Sequence, residues 1–200
     1  MKIEMPEQAR QIIDWLEAGG FEAYIVGGCV RDSLLGRDVH DWDICTSARP
    51  MEMKRCLRGY KLLETGIKHG TLTAVVGEES YEITTFRVDG LYSDNRRPDN
   101  VTFVRSLTED LARRDFTINA MAYNDRRGLS DPFGGRDDLE KGLLRCVGEP
   151  EARFSEDALR ILRALRIAAV YGFIIEEQTA KAAMELRHTL RNISAERISV

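Results

Sequence analysis

The apolar run Ala23-Tyr24-Ile25-Val26 ends on Gly27-Gly28, and a short stretch later His40–Cys45 forms a second run carrying Asp41-Trp42-Asp43. No other feature constrains the fold as strongly. Strand, glycine turn, short helix over Arg31–Leu35 closed by Gly36, then strand is the start of a mixed α/β domain. Side chains on a strand alternate faces, so Asp41 and Asp43 are expected to point one way and Trp42 the other. Trp42 and Ile44 would then anchor the far face in a core and give the carboxylates a fixed aim.

The rest of the chain fits around that unit. Ile12, Ile13 and Leu16 make a helical stripe over residues 6–19, stopped by Gly19-Gly20. Pro50–Leu57 reads as a helix, and Gly70–Val76 and Tyr81–Val88 as strands joined by a turn at Gly77–Ser80. Residues 89–100, DGLYSDNRRPDN, are polar and aperiodic, the composition of a surface loop. Val101–Val104 is expected as a strand, Leu107–Ala112 as the start of a helix, Thr117–Tyr123 as buried, and DPFGG at 131–135 as a turn. After Glu149-Pro150 only helical periodicity remains. One stripe is Ala158, Leu162, Leu165 and Ala169, and a second helix runs from Glu177 to about Thr189.

Composition narrows the function classes. The formal net charge is −4, with the acid excess in residues 1–150, and residues 151–200 hold eight basic against seven acidic side chains. That balance excludes a non-specific nucleic-acid binder, so any nucleic-acid contact must be local. Cys29, Cys45, Cys56 and Cys146 show no metal-ligand spacing and read as free thiols. The N-terminus has no apolar signal core, and no apolar run approaches the ~20 residues of a membrane span. A cytoplasmic protein with no membrane partner is expected.

Four blocks carry chemistry. Two carboxylates on one face near a glycine turn can hold divalent metal against a triphosphate, the arrangement of two-metal nucleotidyl transfer. Glu82, in Tyr81–Arg87, offers a third carboxylate from a neighbouring strand, its plainer reading being a cross-strand ion pair. Gly27 and Gly28 permit close backbone approach at a helix start, and Arg31 can grip phosphate bidentately. In RRDFTINAMA, Asp115 and Asn119 are spaced i,i+4, and an acid beside an amide suits a ribose. Arg113 and Arg114 could be a solvated basic pair. In SEDALRILR, Asp157 and Arg160 are i,i+3, followed by Arg163 and Arg166. They are either an intrahelical ion pair or a base reader. An acceptor-only carboxylate beside a donor-only guanidinium matches the edges of cytosine and adenine and mismatches guanine and uracil. Each mismatch would cost about 1–3 kcal/mol. Ser155 is expected to cap a helix, and His69 to be a structural turn histidine.

The blocks GGCVRDSLLGRDVHDWD, YEITTFR, RRPDNVTFVRSLTEDLARRDFTINAMA, DPFGG and RFSEDALRILRALRIAA stand in one order over residues 20–175. Together they resemble the class II tRNA nucleotidyltransferases of bacteria, which add CCA to tRNA 3′ ends and share ancestry with bacterial poly(A) polymerases. The resemblance implies a polymerase-β-like α/β (α+β) fold, with a catalytic head of mixed sheet over 1–148 and an all-helical neck over 149–200. It implies that Asp41 and Asp43 bind two Mg²⁺ ions, with Glu82 as supporting carboxylate. Gly27, Gly28 and Arg31 would hold the triphosphate, and Arg114, Asp115 and Asn119 the ribose and phosphates. Asp157 and Arg160, with Arg163 beyond them, would read the base of CTP or ATP without a template. The DPFGG turn would be a hinge, and residues 89–98 a loop needed for adding A.

The implied partner is tRNA rather than DNA, with a monomer as the default. Rival readings are an A-adding enzyme, a poly(A) polymerase, and a nucleotide-binding module without catalysis. Family members continue into body and tail domains, and ISAERISV reads as the opening of a further helix. The chain is therefore expected to be the head and most of the neck, binding nucleotide but adding to tRNA weakly.

Overall fold

A computed structural model of the chain describes residues 2–90 and 100–193. The elements begin with α1 (Glu7–Ala18), β1 (Ala23–Val26), α2 (Gly28–Leu34), β2 (Ile44–Thr46), α3 (Pro50–Cys56) and β3 (Lys61–Leu63). Then come β4 (Thr71–Val76), β5 (Glu79–Thr85), β6 (Arg87–Asp89), β7 (Val101–Phe103), α4 (Leu107–Ala112), β8 (Ala122–Asn124) and β9 (Gly128–Ser130). After these come α5 (Gly135–Glu140), β10 (Leu143–Leu144), α6 (Pro150–Glu156), α7 (Leu159–Tyr171), β11 (Ile174–Ile175) and α8 (Glu177–Leu186), followed by a 3-10 turn over Arg187–Asn192. Among the described residues no helix is long and apolar enough to cross a membrane.

Two compact units divide these elements. The first comprises Met1–Val88, Thr102–Leu111 and Met121–Pro132. It holds a seven-stranded sheet in the order β3-β4-β5-β2-β1-β8-β9. β1 is buried along its whole length and pairs antiparallel with β2 on one side and β8 on the other. β2 runs parallel to β5, with Ile44, Cys45 and Thr46 opposite Ile83, Thr84 and Thr85. β4 and β5 form the expected hairpin around a tighter turn, since Val76 already pairs with Glu79. α1 buries Ile12, Ile13 and Leu16, the stripe read from the sequence, and Ala9 joins them one turn earlier. Met53 and Leu57 are fully buried beside them in this unit's core, with Leu72, Tyr81 and Ile83.

The second unit comprises Asp89–Val101, Ala112–Ala120 and Phe133–Val200. Residues 112–120 and 133–148 thus pack with the helices that follow. The reason is a short ladder: Thr117 N–H donates to the Arg145 carbonyl and Val147 N–H to the Asp115 carbonyl, at 2.9 and 3.0 Å. β10 and β11 add a two-stranded parallel pair, and Thr179 of α8 accepts the Cys146 N–H at 3.2 Å.

Three expectations for the helical segment change. The helix breaks at Asp157, whose backbone is extended (φ −137°, ψ 107°) between α6 and α7. Pro150 stands in the first turn of α6, so Ser155 lies inside that helix and not at its cap. The break also resets the phase of the next helix. The buried positions around α7 are Ala158, Ile161, Ala164 and Ile167, while Leu165 is 54% exposed. Residues 91–99, with Arg96-Arg97-Pro98 of the proposed A-adding loop, and residues 194–200 lie outside the described residues.

Candidate active site

The carboxylates of the first unit come to the surface beside the middle of its sheet. The expected strand over His40–Cys45 begins only at Ile44, so Asp41 and Asp43 stand in the segment leading into β2. The alternation survives: Asp41 and Asp43 are exposed, Trp42 is half-buried and Ile44 is buried. The Asp43 carbonyl accepts the Val26 N–H at 3.0 Å, which ties this approach to β1 although it is too irregular to count as strand. The thiol of Cys29 donates to the Val26 carbonyl at 3.4 Å and the Asp43 carbonyl at 3.9 Å. Burial, reinforced by the Asp43 charge, pushes that thiol's pKa up to about 12, so it stays a neutral donor. The backbone at Asp43 is thus held from two sides while its carboxylate faces solvent. Nothing in the sequence marked Cys29 for that role.

Glu82 is exposed on β5 between buried Tyr81 and Ile83. Residues 44 and 83 are partners in the parallel β2–β5 pairing, so one step back along both strands come Asp43 and Glu82. Among the described residues, no three His, Cys, Asp or Glu side chains gather closely enough to enclose an ion. The donor set suits Mg²⁺ none the less. That ion is normally held by one or two carboxylates together with water and substrate phosphates, not by a closed protein cage.

At the glycines, α2 begins at Gly28, earlier than expected. Gly27 has φ 83° and ψ −127°, a conformation open essentially to glycine alone, and its N–H donates to the Met121 carbonyl at 3.0 Å. Arg31 is buried on α2 at 9% exposure. Its Nε and Nη2 donate to the two carboxylate oxygens of Asp32, both at 2.9 Å. The guanidinium is therefore oriented by its own neighbour. His69 ends a 3-10 turn before Gly70, and its carbonyl accepts Arg87 Nη1, in keeping with a structural turn residue.

In the second unit, Asp115 and Asn119 do come together, but not on one helix. α4 ends at Ala112, and residues 117–119 form a 3-10 turn. Asn119 Nδ2 donates to Asp115 Oδ1 at 3.1 Å, and the Phe116 N–H donates to the same oxygen at 2.8 Å. The other oxygen accepts Nε of Arg163 at 2.8 Å and pairs with its Nη2 at 2.8 Å. Burial alone would raise the Asp115 carboxyl's pKa. The Arg163 charge and these hydrogen bonds more than offset it, and the group is held below the ordinary carboxylate range. Four donors use about the four lone-pair sites a carboxylate offers, so Asp115 organises Asn119 and Arg163 more than it reaches outward. Sequence spacing gave no hint of the Asp115–Arg163 pair. Arg113 is 3.7 Å from Asp89, and Arg114 is half-buried, so the two are not a solvated basic pair.

Asp157 and Arg160 stand on either side of the start of α7. Asp157 Oδ1 accepts the Leu159 N–H at 3.0 Å, the Asx-type start of α7. Arg160, 9% exposed, sends Nη1 to Glu156 Oε2 at 2.6 Å and to the Arg153 carbonyl at 3.1 Å. Its Nη2 donates to the Arg113 carbonyl at 3.0 Å. The i,i+4 acid Glu156 bonds Arg160 across the break at residue 157, a contact the sequence reading did not name.

Residues 23–145 match the poly A polymerase head domain family. The chain belongs to that family. Its relatives include the CCA-adding enzyme of Leuconostoc mesenteroides, 51% identical over 100% of this chain and 50% of that protein. Among solved structures, the Bacillus stearothermophilus CCA-adding enzyme in complex with CTP superposes with a TM-score of 0.87 at 44% identity, over 98% of this chain and 47% of that one. The Thermotoga maritima CCA-adding enzyme complexed with tRNA gives 0.81 at 29% identity, over 98% and 46%. The chain thus spans about half the length of the curated relatives it matches. Asp41, Asp43 and Glu82 all lie within the head-domain match.

Proposed function

We propose that the chain is the nucleotide-transferring part of a CCA-adding tRNA nucleotidyltransferase. The reading is supported by the head-domain match over residues 23–145, which contains Asp41, Asp43 and Glu82, and by the parallel β2–β5 pairing, whose first partners, Ile44 and Ile83, directly follow Asp43 and Glu82. Relatives named CCA-adding enzyme, alike over the whole of this chain, favour it over an A-adding or poly(A) product.

In the proposed reaction the 3′ hydroxyl of tRNA attacks the α-phosphorus of CTP or ATP. The new oxygen–phosphorus bond forms as the bond to pyrophosphate breaks, and the hydroxyl proton leaves toward solvent or a carboxylate. Asp41 and Asp43 would hold Mg²⁺, with Glu82 adding negative charge at their side. When bound, the ion supplies charge stabilisation at the attacking and leaving oxygens. Gly27, Gly28, Arg31 and Arg114 would orient the phosphates. Arg31, already locked against Asp32, would meet them without a further ordering cost. Asn119 and Arg163, organised by Asp115, would face the sugar. Asp157 and Arg160 would face the base, each held by bonds within the second unit and so presenting fixed donors and acceptors.

The test is incorporation of labelled CMP and AMP into tRNA lacking its 3′ CCA, by the full-length protein with Mg²⁺. Two CMP followed by one AMP is expected. A long run of AMP with no CMP, or no incorporation under any condition, would overturn the reading.

A further inference from the structure

The turn between Asp115 and Asn119 is held from outside by a residue that neither the sequence motifs nor the proposed reaction uses. Thr117, at its centre, is 3% exposed, and its hydroxyl donates to Asp138 Oδ2 at 2.7 Å. Asp138 sits on α5 at 5% exposure, and the same oxygen accepts Nε of Arg145 at 3.2 Å. The Thr117 N–H is bonded to the Arg145 carbonyl at 2.9 Å. Side chain and main chain of Thr117 are therefore clamped together by Asp138 and Arg145. A hydroxyl bonded to a buried carboxylate is a strong directional restraint. Keeping a carboxylate buried is costly compared with apolar packing, which makes geometry the reason for having it there. Thr117 lies two residues from Asp115 and two from Asn119. Its position thus sets whether the Asn119 amide reaches Asp115 Oδ1 at 3.1 Å.

We infer that Asp138 is a positioning residue for sugar selection: acting through Thr117, it fixes the turn carrying Asn119 and so sets the preference for ribonucleotides over 2′-deoxyribonucleotides. The inference rests on the reading that the Asp115–Asn119–Arg163 cluster meets the nucleotide sugar.

The experiment titrates CTP and 2′-deoxy-CTP calorimetrically, with Mg²⁺, into the wild-type protein and the variants Thr117→Val, Thr117→Ser, Asp138→Ala, Thr117→Val/Asp138→Ala and Asn119→Ala. Thermal midpoints are followed in parallel. Thr117→Val is expected to weaken CTP about tenfold, the worth of one well-made hydrogen bond, and deoxy-CTP less than about twofold. Thr117→Ser, which keeps the hydroxyl, should retain the wild-type ratio. The double variant should be no worse than Thr117→Val alone, because the two residues act as one device. A purely structural role would weaken both nucleotides alike, or give additive losses, and either result overturns the inference. If Asp138→Ala does not fold, the two Thr117 single variants carry the test by themselves. A wild-type ratio near one, or an Asn119→Ala variant with an unchanged ratio, sinks the sugar reading and this inference with it. A ratio that collapses in Asn119→Ala but not in Thr117→Val overturns the positioning inference alone.

Discussion

Asp41, Asp43 and Asp115 are all acids, and their surroundings give them opposite work. The first two are exposed on a pinned backbone, so removing either should cost chemistry and little fold. Asp41→Ala is expected to lower incorporation by at least about a thousandfold, the kinetic equal of about 4 kcal/mol. As a surface change away from the core it should move stability within about 0.5 kcal/mol. Ordinary turnover in that variant would remove the metal assignment. Asp115 is buried and held ionised by Arg163 and two further hydrogen-bond donors, Asn119 and the Phe116 N–H, its pKa lowered from the ordinary 3.8. A depressed carboxylate contributes stability above the unfolded pKa and loses it as pH falls toward the folded one. Urea midpoints of the wild type should therefore drop below about pH 4, and Asp115→Asn should flatten that drop while being less stable at neutral pH. An equally steep acid limb in the variant would mean that other carboxylates carry the dependence.

Elements were legible where one face decided them, as in α1, β1 and the β4–β5 hairpin. They were missed where tertiary contacts chose. β3 is a largely exposed edge strand with no apolar pattern of its own. α7 took a different apolar stripe from the expected one because both Ile161-Ala164-Ile167 and Leu162-Leu165-Ala169 have helical spacing, and only the break at Asp157 decides which is buried. At the end of α1, Gly19 has an ordinary φ of −76°, so its need for glycine comes from space and not from backbone freedom. A Cβ there would stand 2.4 Å from Cys56 Sγ. Gly19→Ala is expected to cost about 1–3 kcal/mol of stability by overpacking. Adding Cys56→Ala should restore most of it, as read by chemical denaturation. A single variant as stable as the wild type would show that α1 and α3 can shift apart freely.

At the scale of the whole molecule, calorimetry with CTP, ATP, GTP and UTP in the presence of Mg²⁺ asks whether base choice is already present in this chain. Tighter binding of CTP and ATP, by about tenfold for one buried mismatch, is expected from fixed donors and acceptors at Asp157 and Arg160. Equal binding of all four would mean that phosphate contacts dominate and the base reading fails here. The sequence by itself determined the mixed α/β character, the glycine turn at Gly27-Gly28 and the blocks that fall within the head-domain match. Those signals are local: an alternation of period two, a helical stripe, a glycine that no other residue replaces. Only the tertiary structure decided who bonds to whom. Arg163 went to Asp115, Glu156 took Arg160, Asp157 became the start of α7, and Asp138 took Thr117. Spacing fixes only which side chains within one regular element can meet. Where the chain breaks or turns, the partner of a buried charge is whichever opposite group the fold brings within about 3 Å.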